Sequence, residues 1–398
     1  MEPVREKHTK KSEESGSDRP SVAKMDLQGV VFVTTEAEKK EFLEFPYRHY
    51  ADDPNWTPPL KIQQKELIDT RKNPFYKEAE IALFLAYHNG IPAGRIAAIH
   101  NHAYNRHNND SAGFFGFFEC IQNQFVADLL FRVVSDWLRE RGCTKLLGPM
   151  SPGLLDEIGI QVDGFDKYPA IMMPHSKPWY DHLIKNAGLS KEMDLFSYKV
   201  TQDSVSHERM DRAVEIVRKR TPGLSIRKVN LKNFDQEVDT IHHIFNKAWS
   251  KNWGFYEISK DVLVHLAKDM KMIIDTDFAH VAEIDGSPVA FSIALPDYNQ
   301  VFRKMDGTLF PTGFLKLLWH RRKINAIRTA LMGVLPEYQG RGIDALLTRE
   351  SIVNGMKRGF YSSEVGWLLE TNTGILRVVE RLGAQREKTY RLYGRSLV

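Results

Sequence analysis

Cysteine and long apolar runs are the two features that this sequence most clearly lacks. Only Cys120 and Cys143 occur among 398 residues, too few for a disulfide framework and without the paired spacing of a zinc site. No apolar run approaches the roughly 18 to 20 residues that span a bilayer, and the N-terminus is charged rather than signal-like. We therefore expect reduced thiols, no metal, no membrane-spanning segment and a cytoplasmic location.

A strong excess of either charge is also missing. Lysine and arginine number 55 against 51 aspartate and glutamate, a formal net charge of +4. This mild basicity suits an anionic ligand or a membrane surface but is too weak to predict binding of nucleic acid. Because 42% of the residues are hydrophobic, the chain can bury a large core, and its length favours two or more domains.

The order of predicted elements repeats after a charged start. Residues 1–26 are rich in charge and serine and poor in aromatics, which predicts a disordered tail. Beyond the tail, each half of the chain reads as β-α(α)-β-β-β-α-β-α-β, with a hairpin turn at an Asn-Gly or Asp-Gly pair. We therefore predict an α/β fold of the α+β type with two tandem domains, 27–203 and 204–398, each built on its own mixed sheet.

The stretch GVLPEYQGRGIDALL, residues 333–347, carries the clearest chemical signal. Three glycines and an arginine crowd the turn between an apolar strand and a helix. Glycines let successive backbone N–H groups turn inward as an anion-binding nest, and the helix that starts near Gly342 adds its positive dipole end. The pattern favours a phosphate or pyrophosphate site over a plain turn.

This strand–PEYQGRGIDALL–helix junction, in this order of elements, resembles the GNAT superfamily of acyl-CoA N-acyltransferases. The resemblance implies two tandem GNAT-like domains and acyl-CoA as the donor substrate. It also implies that the preceding strand splays from its neighbour, so that the backbone at Val334 or Leu335 meets the pantetheine arm and supplies the oxyanion donor. The pyrophosphate of coenzyme A would be held by the loop residues Gln339, Gly340, Arg341, Gly342, Ile343 and Asp344.

A finer resemblance spans nearly the whole chain beyond the tail. The segments FPYRHYADDPNWTPPL, GRIAAIHN, GFFGFFE and DGFDKYPAIMMPHSKPWY look like a bacterial family of tandem GNAT proteins, mostly uncharacterised and related to the bacterial ceramide synthases. Those synthases join a fatty acyl group to the amine of a sphingoid base. The first half has no glycine between Gly116 and the helix that follows. We therefore expect the first half to bind no coenzyme A and to shape the acceptor side of the cleft.

Two positions depart from the superfamily pattern. Asp344 stands where glycine or alanine is usual, and Val379 stands where many members carry a tyrosine that protonates the departing thiolate. Asn372, in contrast, matches the superfamily's asparagine after the next strand. For the acid, Tyr390 and Tyr393 on the last strand are candidates, with water an equal contender, because a coenzyme A thiolate is only moderately basic.

Amide formation also needs a base that takes the proton of the ammonium group. Glu370 is the first candidate because it ends the strand beside the splay, two residues before Asn372; a carboxylate that caps the following helix is the alternative. Asp156 and Glu157 in SPGLLDEIG come next, since Gly/Pro-rich segments often hold site residues, and a solvated turn is their alternative. His175, beside two prolines, is either a titrating site residue or a structural hydrogen-bonder.

One histidine-rich loop invites a metal interpretation. His100, His102 and His107 lie in HNHAYNRHNND, which has neither paired carboxylates nor the spacing of a zinc site. No metal site is therefore predicted.

The segment 302–328 is a longer insertion between strands than the fold requires. It mixes Phe, Leu and Trp with seven Lys or Arg and one acidic residue, a pattern typical of a segment at a membrane interface or over a greasy ligand. An amphipathic helix packed on its own domain is the alternative. The first interpretation predicts peripheral contact with the inner face of the cytoplasmic membrane and a lipid-like substrate.

Three functions follow from these observations. The leading hypothesis is an acyl-CoA-dependent N-acyltransferase that acts on an amine, with a long-chain or sphingoid-like amine as its refinement. A Fem-type transferase, with tandem GNAT domains but an aminoacyl-tRNA donor, is the second, and the intact QGRG loop argues against it. The third is a non-catalytic acyl-CoA sensor or scaffold, suggested by Val379 and Asp344.

Overall fold

A computed structural model describes residues 29–309 and 312–398, and the predicted tail at 1–26 lies outside them. The strands of the first half are β1 (Val30–Phe32), β2 (Ala79–His88), β3 (Ile91–Asn101), β4 (Ala112–Cys120), β5 (Lys145–Gly148), β6 (Met150–Ser151), β7 (Glu157–Ile158), β8 (Ile160–Asp163) and β9 (Ser190–Thr201). Its helices are α1 (Glu36–His49), α2 (Lys61–Leu67), α3 (His102–Asn108), α4 (Gln124–Arg139) and α5 (Tyr180–Asn186).

The second half follows the same plan. Its strands are β10 (Leu224–Lys228), β11 (Ala279–Ile284), β12 (Ser287–Pro296), β13 (Ala326–Val334), β14 (Ser362–Leu369) and β15 (Gln385–Ser396). Its helices are α6 (His207–Arg220), α7 (Phe234–Trp249), α8 (Lys260–Met270), α9 (Asn299–Phe302), α10 (Thr312–His320), α11 (Ile343–Lys357) and α12 (Thr373–Arg381).

A single thirteen-stranded mixed sheet runs through both halves, in the order β1-β2-β3-β4-β5-β15-β9-β14-β13-β12-β11-β10, with β8 beside β15. The α/β class and the duplicated order of elements are confirmed, but the prediction of a separate sheet for each half is wrong. β9, which closes the first half, pairs with β14, and β15, which ends the second half, pairs with β5. The last strand of each half is therefore exchanged into the sheet of the other half, and β9 and β15 pair with each other at the centre of the sheet. The domain bounds near residue 203 stay a prediction.

The alternation of side chains along β12 places helices on both faces of the second half. Phe291 belongs to the same apolar cluster as Ile244 of α7, whereas the neighbouring Ala290 packs with Ile343 and Leu347 of α11. Successive residues of a strand point to opposite faces. α7 and α11 therefore cover opposite sides of the sheet, and both flank β13.

Within the described residues, each half contains one parallel strand pair, and in each half the two strands of that pair diverge. In the first half, β4 and β5 pair only over Ala112–Phe114. The space beyond is filled by the chain's own β6, because a Cβ at Gly116 would overlap the carbonyl oxygen of Met150. The helix that follows, α4, is capped by the side chain of Asn123, which accepts from the N–H of Val126. Neither feature leaves this junction open to a phosphate.

Several helices fall where the sequence pattern indicated loops or gave no assignment. The histidine-rich segment after β3 forms α3, whose first turn is capped by Asn101 accepting from the N–H of Tyr104 at 3.0 Å. α2 and α6 are further additions to the predicted elements, whereas α10 lies in the segment 302–328, where an amphipathic helix is one of the two interpretations. Cys120 and Cys143 are free and buried.

Candidate active site

The parallel strands β13 and β14 separate over the part of β13 that leads into the glycine-rich loop. The two strands pair from Ala326 opposite Ser362 to Thr329 opposite Val365. The register of β13 against β12 slips at Ala330, the mark of a β-bulge. Beyond the bulge β13 keeps only β12 as a neighbour, while β14 turns to β9. A wedge-shaped opening therefore lies beside the last residues of β13.

The backbone of β13 offers donors to this opening. The N–H of Leu335 donates to Val289 O of the neighbouring strand β12 at 2.9 Å, so by alternation the N–H groups of Met332 and Val334 point to the open side. Two acceptors on that side are already used: Met332 O accepts from the Trp249 indole at 2.9 Å, and Val334 O from the Gln339 side chain at 3.0 Å. Val334, rather than Leu335, is therefore the predicted oxyanion donor whose N–H is free.

An anion nest follows at the end of β13. Gly340 and Gly342 adopt left-handed φ angles of +73° and +82°, and Gly342 caps α11 without any side-chain hydrogen bond. The five consecutive N–H groups of residues 340–344 donate to no acceptor in the part of the chain that the structure describes. Unpaired N–H groups at a helix N-terminus form a site for phosphate.

The side chains of the loop divide between holding the backbone and lining the cavity. The Gln339 side chain holds the end of β13 through its hydrogen bond to Val334 O. Ile343, the first residue of α11, is buried. Arg341 donates to Glu337 O at 3.0 Å and lies over the Tyr338 ring. Asp344 lines the cavity and makes no ion pair within the described residues. Its carboxylate therefore remains a negative charge beside the nest.

A cavity of about 950 Å³ joins the nest to the opening between the strands. Its polar end is formed by the anion loop and by the N-terminus of α12 at Asn372. Its apolar wall comes from both halves: Met150, Leu154, Leu155, Ile158, Met172, Trp249, Trp253, Phe255, Leu266 and Met270. The first half thus supplies one side of the cleft, and the space greatly exceeds the needs of an acetyl group.

A buried guanidinium that sequence reasoning missed joins the two halves beside this cavity. Arg328 on β13 is 2% exposed, and it donates to Ile171 O at 2.9 Å and to Gly366 O at 3.1 Å. Burial lowers its pKa to about 10, and its Nε has no hydrogen-bond partner. The only signal in the sequence is a charged residue inside an otherwise apolar strand.

Two aromatic side chains beside Arg328 also have unpaired polar atoms. Trp367 lies under the guanidinium at 4.9 Å, and Tyr390 lies 6.3 Å from Trp367 between ring centroids. Neither Trp367 Nε1 nor the Tyr390 hydroxyl has a hydrogen-bond partner within the described residues. The other candidate acid, Tyr393, donates to Asp181 at 2.6 Å in a separate apolar cluster. Of the two tyrosines, Tyr390 is the one whose hydroxyl is free.

The carboxyl groups of Asp156 and Glu157 point to different surroundings. Burial raises the pKa of Asp156 to about 7, against the effect of a hydrogen bond from the Gly153 N–H at 3.0 Å, and no cation offsets it. Burial also raises the pKa of Glu157, which the charges of Arg95 and Arg328 oppose. Asp156 thus has a pKa near neutrality, and the charge of Glu157 is partly offset by two buried arginines. Neither residue lines the cavity itself, but their neighbours Leu155 and Ile158 do.

The first candidate base, Glu370, is tied into the sheet. Its carboxylate accepts from the N–H of Asp194 at 3.0 Å and from Lys191 Nζ at 2.7 Å. The helix-capping role falls instead to Asn372, whose side chain accepts from the N–H of Ile375 at 3.3 Å. Asn372 lines the cavity and holds α12 against it.

The candidate histidines lie away from the cavity lining. His175 Nε2 contacts Asp53 Oδ2 at 3.2 Å, which fits a structural role. His100 and His102 come together with Glu80, and their ligand atoms lie within 4.8 Å of one another, while Arg141 donates to Glu80 at 3.1 Å. His107 is apart from this group and packs on Phe255. The absence of a resident metal stays a prediction.

Comparison with solved structures defines the class of protein. A tandem GNAT protein from the clavulanic acid biosynthesis pathway has a TM-score of 0.55 and 11% identity, with 93% of this chain and 99% of that chain covered. A GCN5-related glucosamine N-acetyltransferase region of a fungal multi-domain GH3 β-N-acetylglucosaminidase has a TM-score of 0.56 and 14% identity, with 92% and 38% covered. The molecule has the fold of these GNAT proteins.

Two relatives narrow the class to a family, although no protein-family model matches the chain. Protein YghO of Escherichia coli (strain K12) is 35% identical over 370 residues, which cover 90% of this chain and 93% of that protein. The bacterial ceramide synthase of Caulobacter vibrioides is 35% identical over 376 residues, 92% of this chain and 97% of that protein. The chain belongs to this family of tandem GNAT proteins. Every helix within 29–309 and 312–398 is too short or too polar to cross a membrane.

Proposed function

We propose that this protein is an acyl-CoA-dependent N-acyltransferase that forms an amide from a long-chain acyl group and a lipid-like amine. The observation that carries the proposal is the run of unpaired N–H groups at residues 340–344, which opens onto the cavity beside the splayed strand β13. A pyrophosphate at this nest would direct the rest of the thioester along β13. The acyl carbonyl then lies near the open-side donors of the strand.

The strand and the loop have separate roles in this proposal. The nest of residues 340–344 binds the phosphates, and Gln339 fixes the end of the strand by bonding Val334 O. The Val334 N–H donates to the carbonyl oxygen, which gains negative charge as the amine attacks. Preorganised backbone donors suit this task because they need no rearrangement during the reaction.

Asp156 is the proposed base, and Glu370 and Glu157 are assigned structural roles. A base works best when its pKa lies near the working pH, and the pKa of Asp156 is raised to about 7 with no cation to offset it. Glu157 compensates the charges of Arg95 and Arg328, and Glu370 is already bonded to Lys191. Asp156 would take a proton from the substrate's ammonium group, so that the neutral amine attacks the thioester carbonyl and coenzyme A leaves as the thiolate. The thiolate is protonated by water or by Tyr390, whose hydroxyl is unpaired.

The apolar wall of the cavity favours a hydrophobic, lipid-like substrate. Leucine, methionine and tryptophan side chains from both halves line a space of about 950 Å³, and burying methylene groups against such a wall is favourable by about 0.8 kcal/mol each. The name of the Caulobacter relative, a ceramide synthase, supports the same class of acceptor. A location in the cytoplasm, with peripheral contact to the inner face of the membrane through residues 302–328, completes the proposal.

The direct test is release of coenzyme A thiol by the purified chain. Acyl-CoA donors from acetyl to palmitoyl are combined with sphingosine-like amines, and we expect release that rises with chain length. Thiol release no faster than in a protein-free control, with every donor and with protein shown to be folded, would overturn the proposal.

Two observations favour a second candidate, a non-catalytic acyl-CoA sensor. Val379 is buried where an acid is expected, and Asp344 brings an unpaired negative charge to the nest. Calorimetric binding of acyl-CoA without any turnover would support the sensor over the enzyme.

A further inference from the structure

Helix α10 has an apolar face that the protein leaves exposed. Leu315 and Trp319 are 67% and 74% exposed, and Phe314 and Leu318 are each 42% exposed. The spacing i, i+1, i+4, i+5 places these four residues on one side of the helix. Leu317, on another side, packs against the core. Single exposed apolar residues are ordinary, but a contiguous group of this size marks an interaction surface.

Uncompensated positive charges surround this face. Lys304, Lys316, Arg321, Arg322 and Lys323 are exposed, and none of them makes an ion pair with an acidic side chain that the structure describes. Lys316 donates only to a backbone oxygen, that of Lys304, at 2.7 Å. Exposed cations without partners attract anionic lipid headgroups by about 1 kcal/mol each near a membrane surface.

A cavity of about 790 Å³ adjoins the same surface and is lined by Lys61, Lys304, Lys323 and Arg303 together with Tyr47 and Trp56. Of the two aspartates in its wall, Asp53 is paired with Lys177 at 3.1 Å, and Asp306 makes no ion pair within the described residues. Lys61 is paired with Glu44 at 2.7 Å, so the three cations Arg303, Lys304 and Lys323 face one unpaired acid. His320, from the end of α10, also lines the cavity, and its Nδ1 has no hydrogen-bond partner within the described residues. The cavity is therefore suited to an anionic group of the size of a phospholipid headgroup.

The surface also lies at the correct end of the catalytic strand. β13 begins just after the basic residues that follow α10 and ends at the anion nest. Its nine residues span roughly 30 Å. The docking surface and the site for the phosphates of coenzyme A are therefore at opposite ends of one strand, as a lipid acceptor that enters from the membrane requires.

We propose that α10 and its flanking cations form a docking surface for a bilayer rich in anionic phospholipid. The exposed apolar residues Leu315, Leu318 and Trp319 insert at the boundary between headgroups and acyl chains, and the cavity beside Arg303, Lys304 and Lys323 takes a lipid phosphate. An interfacial helix with a basic border binds membranes in this way. The purpose of this surface, delivery of a lipid amine, rests on the proposed function, but its geometry does not.

Vesicle cosedimentation of the full chain, without any substrate, tests the surface. We expect binding to vesicles of phosphatidylglycerol and phosphatidylcholine, with at least tenfold weaker binding to phosphatidylcholine alone. The double variant L315D/W319D should lose binding to both, whereas the control I91D, at an apolar residue that is 68% exposed on a distant hairpin, should not. R321S/R322S/K323S should lose the preference for anionic vesicles, and the matched control R218S/K219S/R220S, another exposed basic run, should keep it.

The outcomes separate this surface from the proposed reaction. Equal binding of wild type, L315D/W319D and R321S/R322S/K323S to anionic vesicles would overturn the docking surface, even if thiol release is normal. Release of the protein from vesicles by millimolar inorganic phosphate at constant ionic strength would assign the cavity to free phosphate and also overturn it. Vesicle binding that follows the variants as expected, with no thiol release from any donor, would support the docking surface and reject the acyltransferase.

Discussion

The Arg328 guanidinium donates to the backbone oxygen of Ile171 at 2.9 Å, and these two residues stand 157 positions apart in the chain. The same guanidinium reaches Met172 O at 3.2 Å and Gly366 O at 3.1 Å. One side chain of the half that carries the anion nest thus holds the loop of the other half that lines the cleft. The first half's side of the cleft and the splayed strand β13 are fixed to each other by this contact.

Replacement of this residue, R328M, should destabilise the fold strongly. The variant keeps most of the side-chain volume but leaves three backbone oxygens without their donor, which costs roughly 3 kcal/mol or more in the free energy of unfolding. Urea denaturation measures the loss. The control R209M, at an exposed arginine on α6, should change the unfolding free energy by less than about 0.5 kcal/mol. Equal stability of the two variants would remove Arg328 from the role assigned to it.

The anion nest can be tested with a pair of matched glycine variants. Gly340 and Gly90 both have positive φ angles, +73° and +76°, and open space where a Cβ would lie. G340D and G90D should therefore carry similar backbone strain. Only G340D places a carboxylate in the nest, so we expect coenzyme A affinity to fall about tenfold or more, which is about 1.4 kcal/mol. Calorimetric titration compares them, and equal affinities would place the phosphates elsewhere.

Gly342 is the less suitable position for that experiment. Its φ angle is +82°, and a Cβ there would lie 2.7 Å from Val217 Cγ2 of α6. A substitution would disturb the packing of two helices as well as the nest. Loss of coenzyme A binding at this position would therefore not separate folding from recognition.

Removal of the unpaired charge at the nest should strengthen binding. Asp344 lines the cavity in the first turn of α11, where its carboxylate opposes an anionic ligand by about 0.3 to 1 kcal/mol. D344N should raise coenzyme A affinity about two- to fivefold at low salt, with a smaller gain at high salt. E337Q, at an exposed acid just before the loop, is the control. Unchanged or weaker binding by D344N would mean that the carboxylate helps to form the loop.

Local signals in the sequence were sufficient for most elements, because they depend on neighbouring residues. Asn89-Gly90 and Asp285-Gly286 turn the two hairpins as predicted, and the glycines of the nest adopt the left-handed conformation that the loop needs. The errors come from long-range pairing. Exchange of β9 and β15 depends on which strand edges meet after folding, and no local pattern encodes that choice.

The candidate site divides in the same way. The loop at Gln339 to Asp344 was recognisable because its chemistry is carried by contiguous backbone. The choice between Val334 and Leu335 needed the register of β13, since the Leu335 N–H bonds to Val289. Arg328 and Trp249 were missed because their roles depend on partners far away in the sequence.

Stability should respond to pH through two buried carboxyl groups. Burial raises the pKa of Asp156 from 3.8 to about 7 and that of Glu119 from 4.5 to about 7. Between pH 4 and 7, roughly, the folded chain holds protons that the unfolded chain releases, so the free energy of unfolding falls as pH rises. D156N and E119Q should each flatten this slope in urea denaturation at a series of pH values. A slope equal to that of wild type would mean that the carboxyls are ionised when folded.

The pH dependence of kcat/KM should distinguish Asp156 from Glu119. If Asp156 is the base, kcat/KM rises with pH to a plateau above about pH 7, where its carboxyl is deprotonated. D156N should lose this pH-dependent rise of kcat/KM together with most of kcat. E119Q, whose carboxyl accepts from Tyr50 and Tyr180 away from the cavity, should retain it. If kcat/KM of D156N still rises with pH in the same way, the general base would instead be Glu157 or Glu370.

The most direct measurement follows an acyl group from thioester to amide. Palmitoyl-CoA labelled in its carbonyl carbon is incubated with purified protein and a sphingosine-like amine, and mass spectrometry quantifies labelled amide and free coenzyme A. We predict the two products in equal amounts, a strong loss with G340D and D156N, and normal yield with G90D. Hydrolysis to free fatty acid without amide, or no product at concentrations where acyl-CoA is bound, would contradict the proposed N-acyltransferase.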